Sequence, residues 1–312
     1  MKYFILILLH CFLLADYSGG YPGASFNYGT NAREIALSRS TISTYNRGFN
    51  AFINPALLPQ LKNNEYGFSY FLMSLGRSIQ SVSISRPLPP SAGVGLSFFR
   101  VGTNNIIETN TFGSEVGSLS HYEGYGMLSF GIDLGSLSGG FNIKAYFNDL
   151  YDYSGTGVGF DLGMLYERKN INFAIKINNI SSSYSWDIGS QQYEENIPTN
   201  YAIGFSYNKF KNLLLSTQIN MIPIIVDPSN NSEKIYKKFH FGAEYVLNYK
   251  DKMPISIMMG FKEINNKISY SLGSGLPIKI TEKIILNFDY ALDLGLMDEG
   301  ISQLISLTLV NY

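Results

Sequence analysis

Asp161, Glu244 and Asp289 are the residues of this sequence best suited to chemistry, because each falls on the polar side of an alternating segment and the three could converge on one interior space. Paired carboxylates can act as acid and base in glycoside hydrolysis, which requires a fixed separation of about 5 to 9.5 Å. The blander expectation is a solvated lining, or salt bridges with Lys144 and Lys262, which also sit on polar faces. His10, His121 and His240 lie far apart and offer no metal-ligand spacing, so neither a metal nor another cofactor is expected. The sequence has no Gly-x-Ser-x-Gly elbow, phosphate-binding loop or His-Glu-x-x-His. Gly155, Gly157 and Gly159 alternate within a strand and form no dinucleotide fingerprint. The chain is therefore expected not to be an enzyme.

The elements that would carry these residues are strands. Only 15% of the 312 residues are charged, against about 25% in a usual soluble domain. With 23 Tyr, 21 Phe and 30 Gly, the composition suits strands and tight turns. A net charge of -1 with no basic cluster gives nucleic acid nothing to bind. From about Tyr66 onward, apolar residues alternate with small or polar ones: Val158, Phe160, Leu162, Met164 and Tyr166 oppose Gly157, Gly159, Asp161 and Gly163, and Phe239, Phe241, Ala243, Tyr245 and Leu247 oppose His240, Gly242, Glu244 and Asn248. Period two means strand. About fourteen such segments follow one another, each roughly ten residues long, the length a tilted strand needs to cross a bilayer. Residues 103 to 123, 181 to 198 and 227 to 237 read as longer polar loops on the outer side. Tyr184, Trp186 and Tyr193 lie in the second of these, where they could touch a partner or pack within the loop.

Two architectures share this period: a soluble sandwich with its apolar face inward, and a membrane barrel with that face outward. A soluble surface would carry many Lys and Glu, yet the polar face here is mostly Gly, Ser, Asn and Ala. That row suits a lumen, and a closed barrel is the one way a sheet can satisfy its backbone in hydrocarbon. The expected fold is all-β: a transmembrane antiparallel up-and-down barrel of about fourteen strands, surrounded by outer-membrane lipid, with a short, partly helical N-terminal plug. The last strand, Ile301 to Tyr312, ends on an aromatic residue that falls one position out of phase, so either the end curls past the strand or a bulge intervenes.

Lys2 followed by an apolar run to Ala15 has the layout of an export signal. The expected division is a cleaved signal at 1–20, an irregular plug at 21–62 and the barrel at 63–312, placing the protein in the outer membrane of a Gram-negative-type bacterium. Cys11, the single cysteine, falls in the discarded part, with His10 where a lipidated cysteine would want a small residue. The mature chain then has no thiol chemistry.

Within the plug, Asn54-Pro55-Ala56-Leu57, with Ala32-Arg33 about twenty positions upstream, resembles the N-terminal signature of the PorV/PorQ-like proteins, part of the wider FadL-like outer-membrane barrels. The run Ser154 to Tyr166 looks like that family's mid-barrel strand. Ile177-Asn178-Asn179-Ile180, Ile197-Pro198, Gly242-Ala243-Glu244-Tyr245 and Phe288-Asp289-Tyr290-Ala291 match later landmarks in order. The chain departs from the pattern at Ser38, Ser40 and Leu57, where the family usually has glycine. The resemblance implies a plugged barrel that works in type IX-like secretion or surface display, binding exported protein cargo and secretion-machinery proteins. The alternative it leaves open is a FadL-like passive transporter of hydrophobic or small solutes. Asn54, Pro55 and Ala56 would then be either a gate element or a structural turn.

Overall fold

The computed structural model describes residues 20–188, 191–227, 232–249, 253–264, 267–295 and 300–312. The export signal expected over residues 1–20 lies outside them except for Gly20. Sixteen strands run β1 (Asn64–Leu72), β2 (Arg77–Leu88), β3 (Ala92–Thr109), β4 (Glu115–Asp133), β5 (Leu137–Leu150), β6 (Tyr153–Arg168), β7 (Ile171–Ile180), β8 (Ser183–Ile188), β9 (Gln191–Asn196), β10 (Asn200–Tyr207), β11 (Leu213–Asp227), β12 (Ser232–Tyr249), β13 (Met253–Ile264), β14 (Lys267–Lys279), β15 (Ile284–Asp293) and β16 (Ser302–Asn311). All but β8 and β9 follow one another around a closed antiparallel wall of fourteen strands, sealed by β1 on β16 and by β5 on β6. In a closed wall every strand has a neighbour on both sides, so no backbone row is left unpaired toward lipid.

Burial runs opposite to that of a soluble sheet. In β1, Tyr66, Phe68, Tyr70 and Leu72 are exposed while Glu65, Ser69 and Phe71 are buried. In β10, Tyr201, Ile203 and Phe205 face out over buried Ala202 and Ser206. The apolar row coats the outside, as hydrocarbon requires. Inside, hydroxyls bond across strands, Ser69 to Ser81 at 2.6 Å and Ser83 to Ser97 at 2.9 Å.

Connections alternate between two rims. The lower rim, where β1 starts and β16 ends, is closed by short turns; the upper rim carries the longest strands and connections. β16 keeps unbroken register with both neighbours to Asn311, and Tyr312 lies past the strand, its N–H donating to Lys283 O at 2.8 Å. The end of the chain therefore curls past the strand without a bulge.

Two of the expected loops are largely strand, and a third is partly so. β3 and β4 extend to Thr109 and from Glu115, residues 181–198 contain the hairpin β8–β9, and β12 begins at Ser232, with 228–231 outside the described residues. The first was disguised by a register shift between Thr103 and Ile106 that breaks the alternation. In the second, Tyr184 and Trp186 do alternate, but among Ser and Asp that read as loop.

The segment before β1 fills the lumen. It contains helix α1 (Ala32–Ala36), helix α2 (Asn50–Ile53) and a 3₁₀ helix (Pro55–Gln60). Asn31 caps α1 by accepting from the Glu34 N–H, and Asn54 caps the 3₁₀ helix by accepting from the Ala56 N–H, with Pro55 at the first position where a missing N–H is harmless. Ile35, Leu37, Phe49, Leu57 and Leu58 are fully buried. The inward glycines of the wall are where the plug backbone comes closest: a Cβ on Gly93 would stand 2.3 Å from Leu58 O, and one on Gly140 2.5 Å from Pro55 C. On the opposite side Gly242, Gly260 and Gly273 receive the Ser40 hydroxyl, the Leu37 backbone and the Ala36 side chain.

Candidate functional site

The polar residues singled out from the sequence all lie on the inner face, but they form separate groups. Asp161 on β6 and Lys144 on β5 meet at 2.8 Å and are sealed from solvent. Asp161 also accepts from Asn142 Nδ2 at 2.9 Å and from the Asn179 N–H at 3.0 Å. Lys144 and the Tyr146 hydroxyl both donate to Asn179 Oδ1, at 3.2 and 3.0 Å. Lys176 on β7 reaches the plug itself, donating to Phe52 O at 2.6 Å, and Asn142 donates to Ala51 O at 3.3 Å. Two wall strands thus hold α2 by its carbonyls. Of the two expectations for Asp161, a solvated lining or a salt bridge with Lys144, the structure shows the salt bridge, packed against the plug.

Glu244 on β12 pairs with a plug residue, Arg33, whose Nε and Nη2 lie 3.0 and 2.7 Å from the same carboxylate oxygen. Lys262 pairs with Asp293, 2.7 Å away, and with neither Glu244 nor Asp289. Asp289 shares with Glu244, Arg33 and Arg47 a cavity of about 230 Å³ near the lower rim. Asp161 lines a different cavity, of about 60 Å³, with Lys144 and Lys176, room for a few waters. The three carboxylates therefore do not converge.

Asn54 is bonded on all sides: its Nδ2 donates to Ile42 O at 3.1 Å and Met164 O at 3.3 Å, while its Oδ1 caps the following turn. Pro55 rests on Gly131 and Gly140, and Ala56 is fully buried. The arrangement is that of a capped turn fastened to β4, β5 and β6. Near the lower rim Glu65 accepts from the Tyr45 hydroxyl and the Gly48 N–H, each at 2.6 Å. Burial and that carboxylate hold the Tyr45 phenol above its usual range.

Tyr184 and Trp186 pack inward on β8. Trp186 lies over Gly155 and donates from Nε1 to Glu195 at 3.0 Å, and Tyr184 stands edge-on to Tyr146 within a ring cluster that includes Tyr125, Phe26 and Phe99. Only Tyr193, 57% exposed, is presented to solvent. His121 bonds Asn148, and buried His240 donates from Nδ1 to Ser38 O at 2.7 Å. Among the described residues no three His, Cys, Asp or Glu gather as metal ligands.

Arg33, Lys176, Asn142 and Asn179 were not singled out as site residues from the sequence. Lys176 does fall on the polar face of its strand, a signal that was available. The Arg33 to Glu244 pairing spans 211 positions and leaves no local trace.

Residues 35–283 match the family model described as type IX secretion system membrane protein PorP/SprF. No curated protein matches the chain. Among solved structures it is similar to the CymD monoaromatic hydrocarbon channel, with a TM-score of 0.65 at 10% identity over 91% of this chain and 97% of that one. The Ralstonia pickettii toluene transporter TbuX gives 0.63 at 12% identity over 92% and 100%, and a Pseudomonas aeruginosa FadL homologue 0.57 at 10% over 90% and 98%. At such identities the likeness is one of fold, shared with a hydrocarbon channel, a toluene transporter and a FadL homologue. The matching family model is PorP/SprF, where the motifs had pointed to PorV/PorQ.

Proposed function

The chain belongs to the PorP/SprF family of type IX secretion system membrane proteins, and from that premise we propose that this outer-membrane barrel binds exported protein at its upper rim and helps to secrete or display it. Outer-membrane barrels keep their long connections outside, which puts the upper rim at the cell surface. The observation that carries the reading is the packed lumen. With α1, α2 and the 3₁₀ helix fitted against wall glycines, the interior space beside Lys144 is about 60 Å³. The protein then acts through its rims, as a docking platform with partners in the secretion machinery, and not as an enzyme. Its export would use a signal cleaved between Ala15 and Gly20, which the N-terminal mass of the mature protein checks.

Deleting the gene and comparing secreted and surface-attached proteins tests the role: particular exported proteins should vanish from the surface, and an unchanged surface proteome refutes it. The second reading, a channel for hydrophobic or small solutes, draws on the fold shared with CymD and TbuX. It requires purified protein to carry such a solute into liposomes with the plug in place.

A further inference from the structure

At the upper rim, β3 and β4 outrun their neighbours. β2 stops pairing at Arg77 with Thr103, and β5 at Leu150 with His121, while β3 and β4 stay paired with each other to Thr109 and Glu115. Residues 104–120 therefore project as a two-stranded ribbon. Its foot is braced: Asn104 accepts from the Tyr122 hydroxyl, its N–H donates to Gly76 O at 3.4 Å, and Arg100 lies 3.8 Å over the Tyr122 ring. Its tip is ordered too, with Asn110 Oδ1 accepting from the N–H groups of Phe112 and Ser114, both at 3.0 Å.

Beyond that foot nothing among the described residues covers the ribbon. Ile107 is 60% exposed and Phe112 90% exposed, with Ile106 and Val116 also in the open. A lone two-stranded ribbon is marginal in water, and natural edges are normally blunted by proline or lysine. Residues 104–120 contain neither. By contrast β11, which outruns β10 beyond Met221, carries Pro223 there. The only charges on the ribbon are Glu108 and Glu115. Two carboxylates without a cation oppose lipid phosphates, and two ribbons side by side would bring four carboxylates together.

We infer that the β3–β4 ribbon is the surface on which exported protein docks, by adding an extended, basic segment to one of its free edges. This rests on the secretory reading above and names its site. Main-chain bonding to the ribbon would supply affinity, Lys or Arg facing Glu108 and Glu115 would supply charge matching, and Ile107 and Val116 would contact alternate side chains.

A photo-crosslinking residue placed at Ile107, and separately at Val116, tests this in living cells, with a third at lipid-facing Leu128 as background. Both ribbon positions should attach to one short stretch of the same exported protein, at alternate residues and with Lys or Arg within it. Attachment to lipid, to a second copy of this chain, or to nothing above background overturns the inference. Reversing the charges (E108K with E115K), or replacing residues 105–119 by Asn-Gly, should cut surface display of that protein about tenfold, with the folded barrel unchanged by its heat-dependent gel mobility. If display survives the ribbon replacement but not gene deletion, the ribbon is the wrong site and the secretory role stands. If gene deletion changes nothing, both fall.

Discussion

Lys144 Nζ lies 2.8 Å from Asp161 on the neighbouring strand, in a place where the plug leaves the pair almost no access to bulk water. Each charge depends on the other and on the amides of Asn142 and Asn179 around them. Removing one partner strands a buried charge, an effect of about 3 to 5 kcal/mol. K144M and D161N should each lower the unfolding temperature of the detergent-solubilised barrel sharply. K144M combined with D161N should lower it by less than the sum of the two single changes.

The plug seats make a second prediction. G93A and G140A each put a methyl group within 2.3 to 2.5 Å of plug backbone, which must move. Both variants should expose the segment before β1 to added protease while leaving the wall assembled. G126A and G139A, where a Cβ meets nothing within 4 Å, are the matched controls and should behave as the unaltered protein does.

Closure of the lumen is measurable directly. The intact protein should pass no ion current across a planar bilayer. R33A, which frees Glu244 at the lower rim, should give intermittent openings, and removal of residues 24–60 a steady pore. A conducting intact protein would contradict a lumen closed by the plug.

The lipid face gives a fourth. Leu128 lies mid-strand on β4 and points outward. L128R should destabilise insertion by about 2 to 4 kcal/mol, seen as reduced assembled barrel in envelopes. L128F should not.

Much of the wall was legible in the sequence because strand period is a local property. Val158 to Tyr166, opposed by Gly157 to Gly163, announces both the strand and which side faces lipid. The plug was legible as an interruption of that period, and Asn31 and Asn54 sit where its two caps fall. What surrounds the polar face was not legible. Gly, Ser and Asn are what a strand shows to water, and they are equally what it shows to a close-packed backbone, since Gly93 and Gly140 are small for reach and not for solvation. The partners of Glu244 and Lys262 depend on register between distant segments, so salt bridges with Lys144 and Lys262 were anticipated as a group, and only the one joining Lys144 to Asp161 formed. The β3–β4 ribbon reads as a loop because the adjacent Ile106 and Ile107 break the alternation, which the register shift after Thr103 absorbs in the structure.

The fit between plug and glycines also bears on the order in which the molecule is made. β1 pairs with β16 along the seam that joins the first and last of the described strands. Seats on opposite sides of the ring, Gly93 and Gly140 on one and Gly242, Gly260 and Gly273 on the other, face a single continuous stretch of chain that leads directly into β1. A stretch held on both sides enters far more readily while the sheet is still open than through a finished rim. The wall thus closes around its own N-terminal segment, which fills the girth of the ring as a mandrel would.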